Sequence, residues 1–516
     1  TFVLGAALAL AVFSPTVAQQ GQTPDDDGGG YLETLLEDSL SGAGRNVEIT
    51  GFRGALSSNA SLETLTIADK AGVWITLRQV ELEWTRSALL SGRLEIAKLT
   101  AAVIDIPRPP KSVPSAPSPE ATPFALPDLP VSVNVGQIST AKLILGEPVL
   151  GKPVTVQFTG SVSLAGGAGN TAFELKRVDG RRGTIKVAGS YANTTQAISL
   201  LFDLSEDPNG ITAHLLGLPD QPSVDMRING TGTLNSFLAD LSLGTNGEKR
   251  LSGRLTLKGE AETTPQAQET PGAGRLFALE MGGDLRPLFN ADYRQFFGDS
   301  SRLTLNGVQP GDGSLTLDAV ELTTAAMFVT GSARLDADSW PAQVNLAARV
   351  LPDQGSAVLL PLVGEKTRLG GADMTIRYDR SVSDHWAADL VVKGLSQDNN
   401  IVESLRAKGA GTLKTGDGDA TTRIDGQFNL TAVGLSLSDP ALAQAVGGAL
   451  SGKIAFDYTQ GSPLLLPEIT FGGADYGVSA QARLRRSEGQ LDRTVVGAQN
   501  IIAEDSSRFA SLAGLP

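Results

Sequence analysis

The sequence predicts a mainly β protein: an elongated, open, groove-shaped and repetitive β-sheet, with short helices at the N-terminus and at the heads of repeats. Three observations carry this. From Gly44 onward apolar residues alternate with polar ones, the period of strands with one dry face. Gly, Pro, Asn and Asp punctuate these runs, with 59 Gly and 27 Pro in 516 residues. A short Asp-to-Gly head, followed by further alternating strands, recurs along the chain.

Taken in order, the chain opens on Thr1 rather than Met. Phe2–Ala18 (FVLGAALALAVFSPTVA) is apolar, uncharged and ends in small residues. Residues 1–18 read as a signal peptide or a short membrane anchor, and either places the rest outside the cytoplasm. Residues 19–43 read as a polar tether, with Asp25-Asp26-Asp27 before three glycines, and an amphipathic helix over Tyr31–Leu40.

Residues 44–106 form the first β segment. Val47 and Ile49 alternate with polar neighbours, as do Leu65 and Ile67. Val73, Ile75 and Leu77 follow, then Val80, Leu82 and Trp84. After them come Leu94 and Ile96, then Ala102, Ile104 and Ile106. Asp69–Gly72 is a hairpin turn signal, and Thr85–Leu90 has room for one helical turn. The slip between Leu77 and Val80 signals a bulge or tight turn, and leaves open which triplet faces inward.

Residues 107–130 hold nine prolines in 24 positions and read as a semi-rigid linker or an excursion off the sheet edge. Residues 131–258 continue the strand grammar, 259–274 is a polar linker, and 275–516 carries further strands and heads.

The heads are Asp207–Gly217, Asp292–Gly298, Asp353–Gly364, Asp439–Gly448 and Asp505–Gly514, with Asp-to-Asp spacings of 85, 61, 86 and 66. In each, the Asp is expected to cap a short helix and the Gly to end it. Two later stretches align without gaps, Leu315–Leu335 and Leu464–Leu484. The fifth head ends two residues before the chain does, which, with the missing Met, reads as a fragment of a longer protein. An open array of this kind is a trough lined by Val, Leu, Ile and Ala. Each lipid CH2 it keeps dry is worth about 0.8 kcal/mol.

The net charge of −14 argues against nucleic acid and against a grip on anionic headgroups. With no cysteine, disulfides, thiolate metal sites and cysteine nucleophiles are excluded. His214 and His385 lie 171 residues apart without a nearby Asp/Ser constellation. Gly416–Asp419 lacks the later ligands of a calcium loop, and Gly166–Gly169 lacks the setting of a nucleotide-binding loop; both read as turns. Trp74 and Trp84 read as packing residues. No metal or cofactor is expected, and the chain does not read as an enzyme.

GAGRNVEITGFRGALSS, followed by LTIAD, GVWITL, WTRSALLSGRLEI and a Pro-rich break, resembles the N-terminal region of alphaproteobacterial TamB proteins. These are inner-membrane subunits of the translocation and assembly module, within the AsmA-like superfamily. The resemblance covers residues 31–110 closely and the rest by pattern, including heads such as DSSRFASLAG. It implies a β-taco groove in the periplasm of a Gram-negative bacterium, attached to the inner membrane and reaching toward the outer one. It also implies phospholipid transport along that groove, support of outer-membrane protein and autotransporter assembly, and an Omp85-type barrel partner (TamA or BamA-like). The family's C-terminal domain that meets this barrel has no counterpart in these residues. On this reading Val73, Ile75, Leu77, Val80, Leu82, Trp84, Leu94, Ile96, Ile104 and Ile106 are the candidate groove-lining residues, in contact with phospholipid acyl chains. Two other classes compete: a chaperone-like scaffold that receives barrel strands at open sheet edges, and a structural β-solenoid with a closed interior.

Overall fold

The computed structural model describes residues 46–54, 57–111, 126, 131–259, 274–352, 356–362, 366–416, 421–487, 490–494 and 500–510. The leader, the tether and the amphipathic helix lie outside these residues. So do most of the Pro-rich stretch, the polar linker at 260–273, most of the Gly416–Asp419 turn and the end of the fifth head. The chain divides into two compact units, which meet in sequence between Lys249 and Arg250.

The first unit holds β1 (Asn46–Thr50), β2 (Asn59–Asp69), β3 (Gly72–Trp84), β4 (Arg93–Ile106), β5 (Ser132–Leu145), β6 (Val154–Ala165), β7 (Ala168–Arg177), β8 (Gly183–Ala192), β9 (Ala197–Glu206), β10 (Val224–Thr233) and β11 (Ser236–Thr245). Short helices punctuate them: α1 (Arg86–Leu89), α2 (Glu147–Leu150) and α3 (Ile211–Leu215). The expected turns at Asp69–Gly72 and Gly166–Gly167 and the helical turn after Trp84 are all present. Each strand pairs with its successor in antiparallel fashion, except β4 and β5, which are parallel.

A parallel pair forces its connection to travel back the length of a strand. The connection from Ile106 to Ser132 therefore joins opposite ends of the paired strands. Its start is tied down, because Arg108 donates to both Asp69 carboxylate oxygens at 2.9 and 2.7 Å and the Lys111 N–H donates to Asp69 at 2.8 Å.

The second unit begins in β12 (Glu248–Gly259) and continues through β13 (Arg275–Gly283), β14 (Ser301–Gln309), β15 (Leu315–Thr323), β16 (Met327–Leu335), β17 (Pro341–Val350), β18 (Val358–Leu359), β19 (Thr367–Leu369), β20 (Gly371–Asp379), β21 (Ser383–Gln397), β22 (Asn400–Lys414), β23 (Arg423–Ser436), β24 (Ala449–Thr459), β25 (Leu464–Gly472), β26 (Tyr476–Ser487), β27 (Gln490–Thr494) and β28 (Asn500–Ala503). It also holds α4 (Arg294–Phe297) and α5 (Pro440–Val446). It too is one open antiparallel sheet, with β17 paired directly to β20 and the short β18–β19 ladder set to one side. Among the described residues of either unit, no pairing closes the first strand onto the last, so each sheet is an open, groove-like layer.

The repeat heads are partly as expected. Asp439 caps α5 by accepting from the N–H groups of Ala441 and Leu442, and Asp505 accepts from Ser507 before a 3-10 turn at Ser506–Phe509. The first head differs: its cap is Glu206, not Asp207, with the Ile211 and Thr212 N–H groups each 2.8 Å from the Glu206 carboxylate. Asp292 caps nothing and instead pairs with Lys366 at 2.5 Å. The third head carries no helix among its described residues; Val358–Leu359 is a strand. The ungapped repeat is real in three dimensions. Leu315–Leu335 and Leu464–Leu484 are the β15–β16 and β25–β26 hairpins, with the same pairing and a bulge at the same place, after Leu317 and after Leu466.

Within each unit the heads sit at one end of the strands. In the second unit α4 buries Phe296 and Phe297 against Ala326, Val350 and Val358, and Phe289 stacks on Phe297 at 3.9 Å. That end of the apolar face is therefore capped.

Candidate functional site

Residues directly opposite each other on paired strands share a face, so the registers show where the apolar positions go. β6 is regular, and Val154, Val156, Phe158, Gly160, Val162 and Leu164 alternate along one side. Their partners on β5 are Leu145, Leu143, Thr140, Ile138, Val135 and Val133. Those in turn face Ile106, Ile104, Ala101, Leu99, Ile96 and Leu94 on β4. The steps along β4 and β5 are two, three, two, three, two. Each three is a bulge that inserts one residue yet keeps the apolar side chain on the same side.

β4 then faces Leu77, Val80, Leu82 and Trp84 on β3. These face Leu65, Leu62 and Ala60 on β2, and Ile75 faces Ile67. In the other direction the same side continues as Leu175 and Phe173, then Ile185 and Val187, then Leu204 and Phe202, Met226 and Ile228, and Leu243 and Leu241. Val47 and Ile49 of β1 face Ile67 and Leu65, so one apolar face crosses all eleven strands of the first unit.

Nine of the ten predicted lining residues lie on this face. Ile75, Val80 and Ile106 are buried, and Leu77, Leu82, Trp84, Leu94, Ile96 and Ile104 are half-buried. Ile75 and Leu77 share this face with Val80, Leu82 and Trp84, because Gln79 at φ 50° absorbs the slip between them. Val73 is a correction: it pairs with Ala68 beyond a bulge, which turns it to the other side, and it is 45% exposed. Ala102 is likewise off the face, and buried Ala101 takes its place. Leu99, Ala101 and Leu62 escaped notice because bulges break simple alternation. The signal that would have found them is the repeated step of three.

The second unit repeats the pattern. Leu346, Ile376, Ala388, Gly409 and Phe428 form one row of direct partners, and Ala348, Met374, Leu390, Ala407 and Leu430 form the next. Aromatic rings on this face lie over glycines of neighbouring strands. A Cβ at Gly409 would overlap the Phe428 ring, and one at Gly426 would overlap Trp386. The missing side chain lets the ring lie flat, so bulky residues line the face without standing up from it. Away from the heads, Tyr378, Trp386 and Leu413 are buried and pack with Phe428 and Phe456.

The opposite face is polar. Arg227 pairs with Asp203 and Arg349 with Asp373 at 2.6 Å, and Lys453 with Glu468 at 2.8 Å, all across strands. Such exposed pairs are worth roughly 0–1 kcal/mol each. In the first unit a depression of about 710 Å³ opens on the polar side at the bulges, lined by Gln79, Glu81, Thr100, Gln137, Ser139 and Gln157 among others.

Charge enters the apolar face at its rim. Arg177 lies in the row of Val156 and Gly183, and it bridges Glu206 and Asp179, both at 2.9 Å. Burial pushes the Asp179 carboxyl up, but Arg177 and the Thr155 N–H outweigh it and hold it below the usual range. His214 sits in the last turn of α3, and His385 is an exposed strand residue. The Trp84 indole N–H donates to the Ser57 carbonyl at 3.1 Å.

No family model, no curated protein and no solved structure matches the chain.

Proposed function

We propose that this chain is a TamB-like lipid conduit of the periplasm, in which phospholipid acyl chains lie against the apolar face while their headgroups stay in water. The observation that supports this reading is the unbroken apolar face, kept in register across eleven strands even where bulges intervene. Its residues are mostly half-buried, neither sealed in a two-layer core nor laid bare. Apolar surface of that kind favours a hydrocarbon guest at about 25 cal/mol per Å². Rings lying flat over glycine leave the lining low, so a guest meets few steps as it slides. The chain needs no catalytic group for this role. The outer-membrane barrel partner, the inner-membrane attachment and the link to autotransporter assembly belong to the same proposal through the family resemblance.

Photo-reactive residues placed singly along β6, in cells, test it. Capture of phospholipid is expected at Val156, Phe158 and Val162 and absent at Gln157, Thr159 and Ser161. Capture at neither set, or at both alike, rejects an acyl-lined face.

A further inference from the structure

We infer that Leu126 is a tethered occupant of the first unit's apolar face, held where a lipid acyl chain would otherwise lie. This rests on the conduit reading above. Leu126 belongs to the connection between β4 and β5, yet it is seated beyond β6, beside the first residues of β7 and the residue that follows β8. The Asn193 carboxamide grips its backbone on both sides. The Leu126 N–H donates to Asn193 Oδ1 at 2.9 Å, and Asn193 Nδ2 donates to the Leu126 carbonyl at 2.8 Å. Asn193 is itself fixed, since its own N–H donates to the Gly167 carbonyl at 2.9 Å.

The leucine side chain lies over the apolar side of the sheet. A Cβ on Gly169 would come 2.9 Å from Leu126 Cδ1 and 3.4 Å from Leu164 Cδ1. Gly169 pairs with Leu164 and with Tyr191, both residues of the apolar face. The glycine therefore leaves a seat in the lining, and Leu126 fills it. A side-chain amide that pairs with both main-chain groups of one residue fixes that residue's position and orientation. The seat also takes the aliphatic carbon that an acyl chain would offer. An acyl chain that reaches this end of the face must displace Leu126, so the contact is autoinhibitory. The binding-competent state is thereby reduced in population, which weakens apparent affinity by the same factor.

The test uses the whole chain and cis-parinaric acid as the acyl probe, with Asn193→Ala and Leu126→Ala as two independent variants. Loss of two hydrogen bonds, at about 0.5–1.5 kcal/mol each, should tighten probe binding by about fivefold to 150-fold in Asn193→Ala. Leu126→Ala, which vacates the seat without touching the sheet, should also tighten it. Hydrogen exchange at the Leu126 amide should accelerate in Asn193→Ala. Wild-type binding with no gain in either variant overturns this inference and leaves the conduit reading intact. Failure of wild type and both variants to bind the probe overturns both.

Discussion

At the residue scale, the most consequential contacts are those that hold chain segments onto the sheet. Asp69 is the clearest. Its side chain is 6% exposed and takes hydrogen bonds from Arg108, from Lys111 and from the Ala71 N–H of its own turn. The Arg108 guanidinium first, and then the Lys111 N–H, hold its carboxyl far below the ordinary range. A carboxyl depressed on folding contributes stability that is complete above its unfolded value, about 3.9, and is lost as pH falls toward the folded one. Thermal unfolding of wild type and Asp69→Asn should therefore differ by a constant amount between pH 8 and pH 5. The gap should shrink only in stronger acid. A gap that widens on acidification contradicts the arrangement.

At the element scale, the heads show how one local plan is met by different residues. Asp439 is exposed and caps α5 in isolation, so Asp439→Ala should cost about 1 kcal/mol. Glu206 does two jobs. It caps α3, and it neutralises Arg177, whose side chain is 10% exposed. Glu206→Ala removes a cap and half of a buried ion cluster and should cost about 3 kcal/mol. Denaturant unfolding of the two variants checks the order, and equal costs would show that Glu206 is only a cap. The Asp-to-Gly heads were legible in sequence as segments. The capping residue was not, because Glu206 ends a strand one position before the Asp, and only the fold brings it over the helix N-terminus.

At the scale of a whole unit, bulges decide whether an apolar pattern survives as a surface. The step-of-three breaks on β4 and β5 coincide at a constant offset, because the two strands run parallel. They are absorbed against regular β6. A photo-crosslinking scan along β4 should therefore capture lipid at Leu94, Ile96, Leu99, Ala101, Ile104 and Ile106, with Ala97, Lys98, Ala102 and Val103 silent. A plain period of two through the middle of β4 would show that the bulges do not form.

The sequence by itself determined the strand grammar, the turns at Asp69–Gly72 and Gly166–Gly167, the capped heads at Asp439 and Asp505 and the matched hairpins at Leu315–Leu335 and Leu464–Leu484. These follow from local chemistry: period-two alternation, glycine where φ must be positive, and carboxylates that accept free N–H groups. It also marked one apolar face, on which nine of its ten candidates lie. Only the tertiary structure decided that Ile75 and Leu77 share a face with Val80, Leu82 and Trp84, that Val73 does not, that β4 and β5 run parallel, and that Leu126 lies over the apolar face. Those outcomes depend on which strands pair, in which direction and with which bulges. Pairing is set by partners distant in the chain, and no local pattern records it.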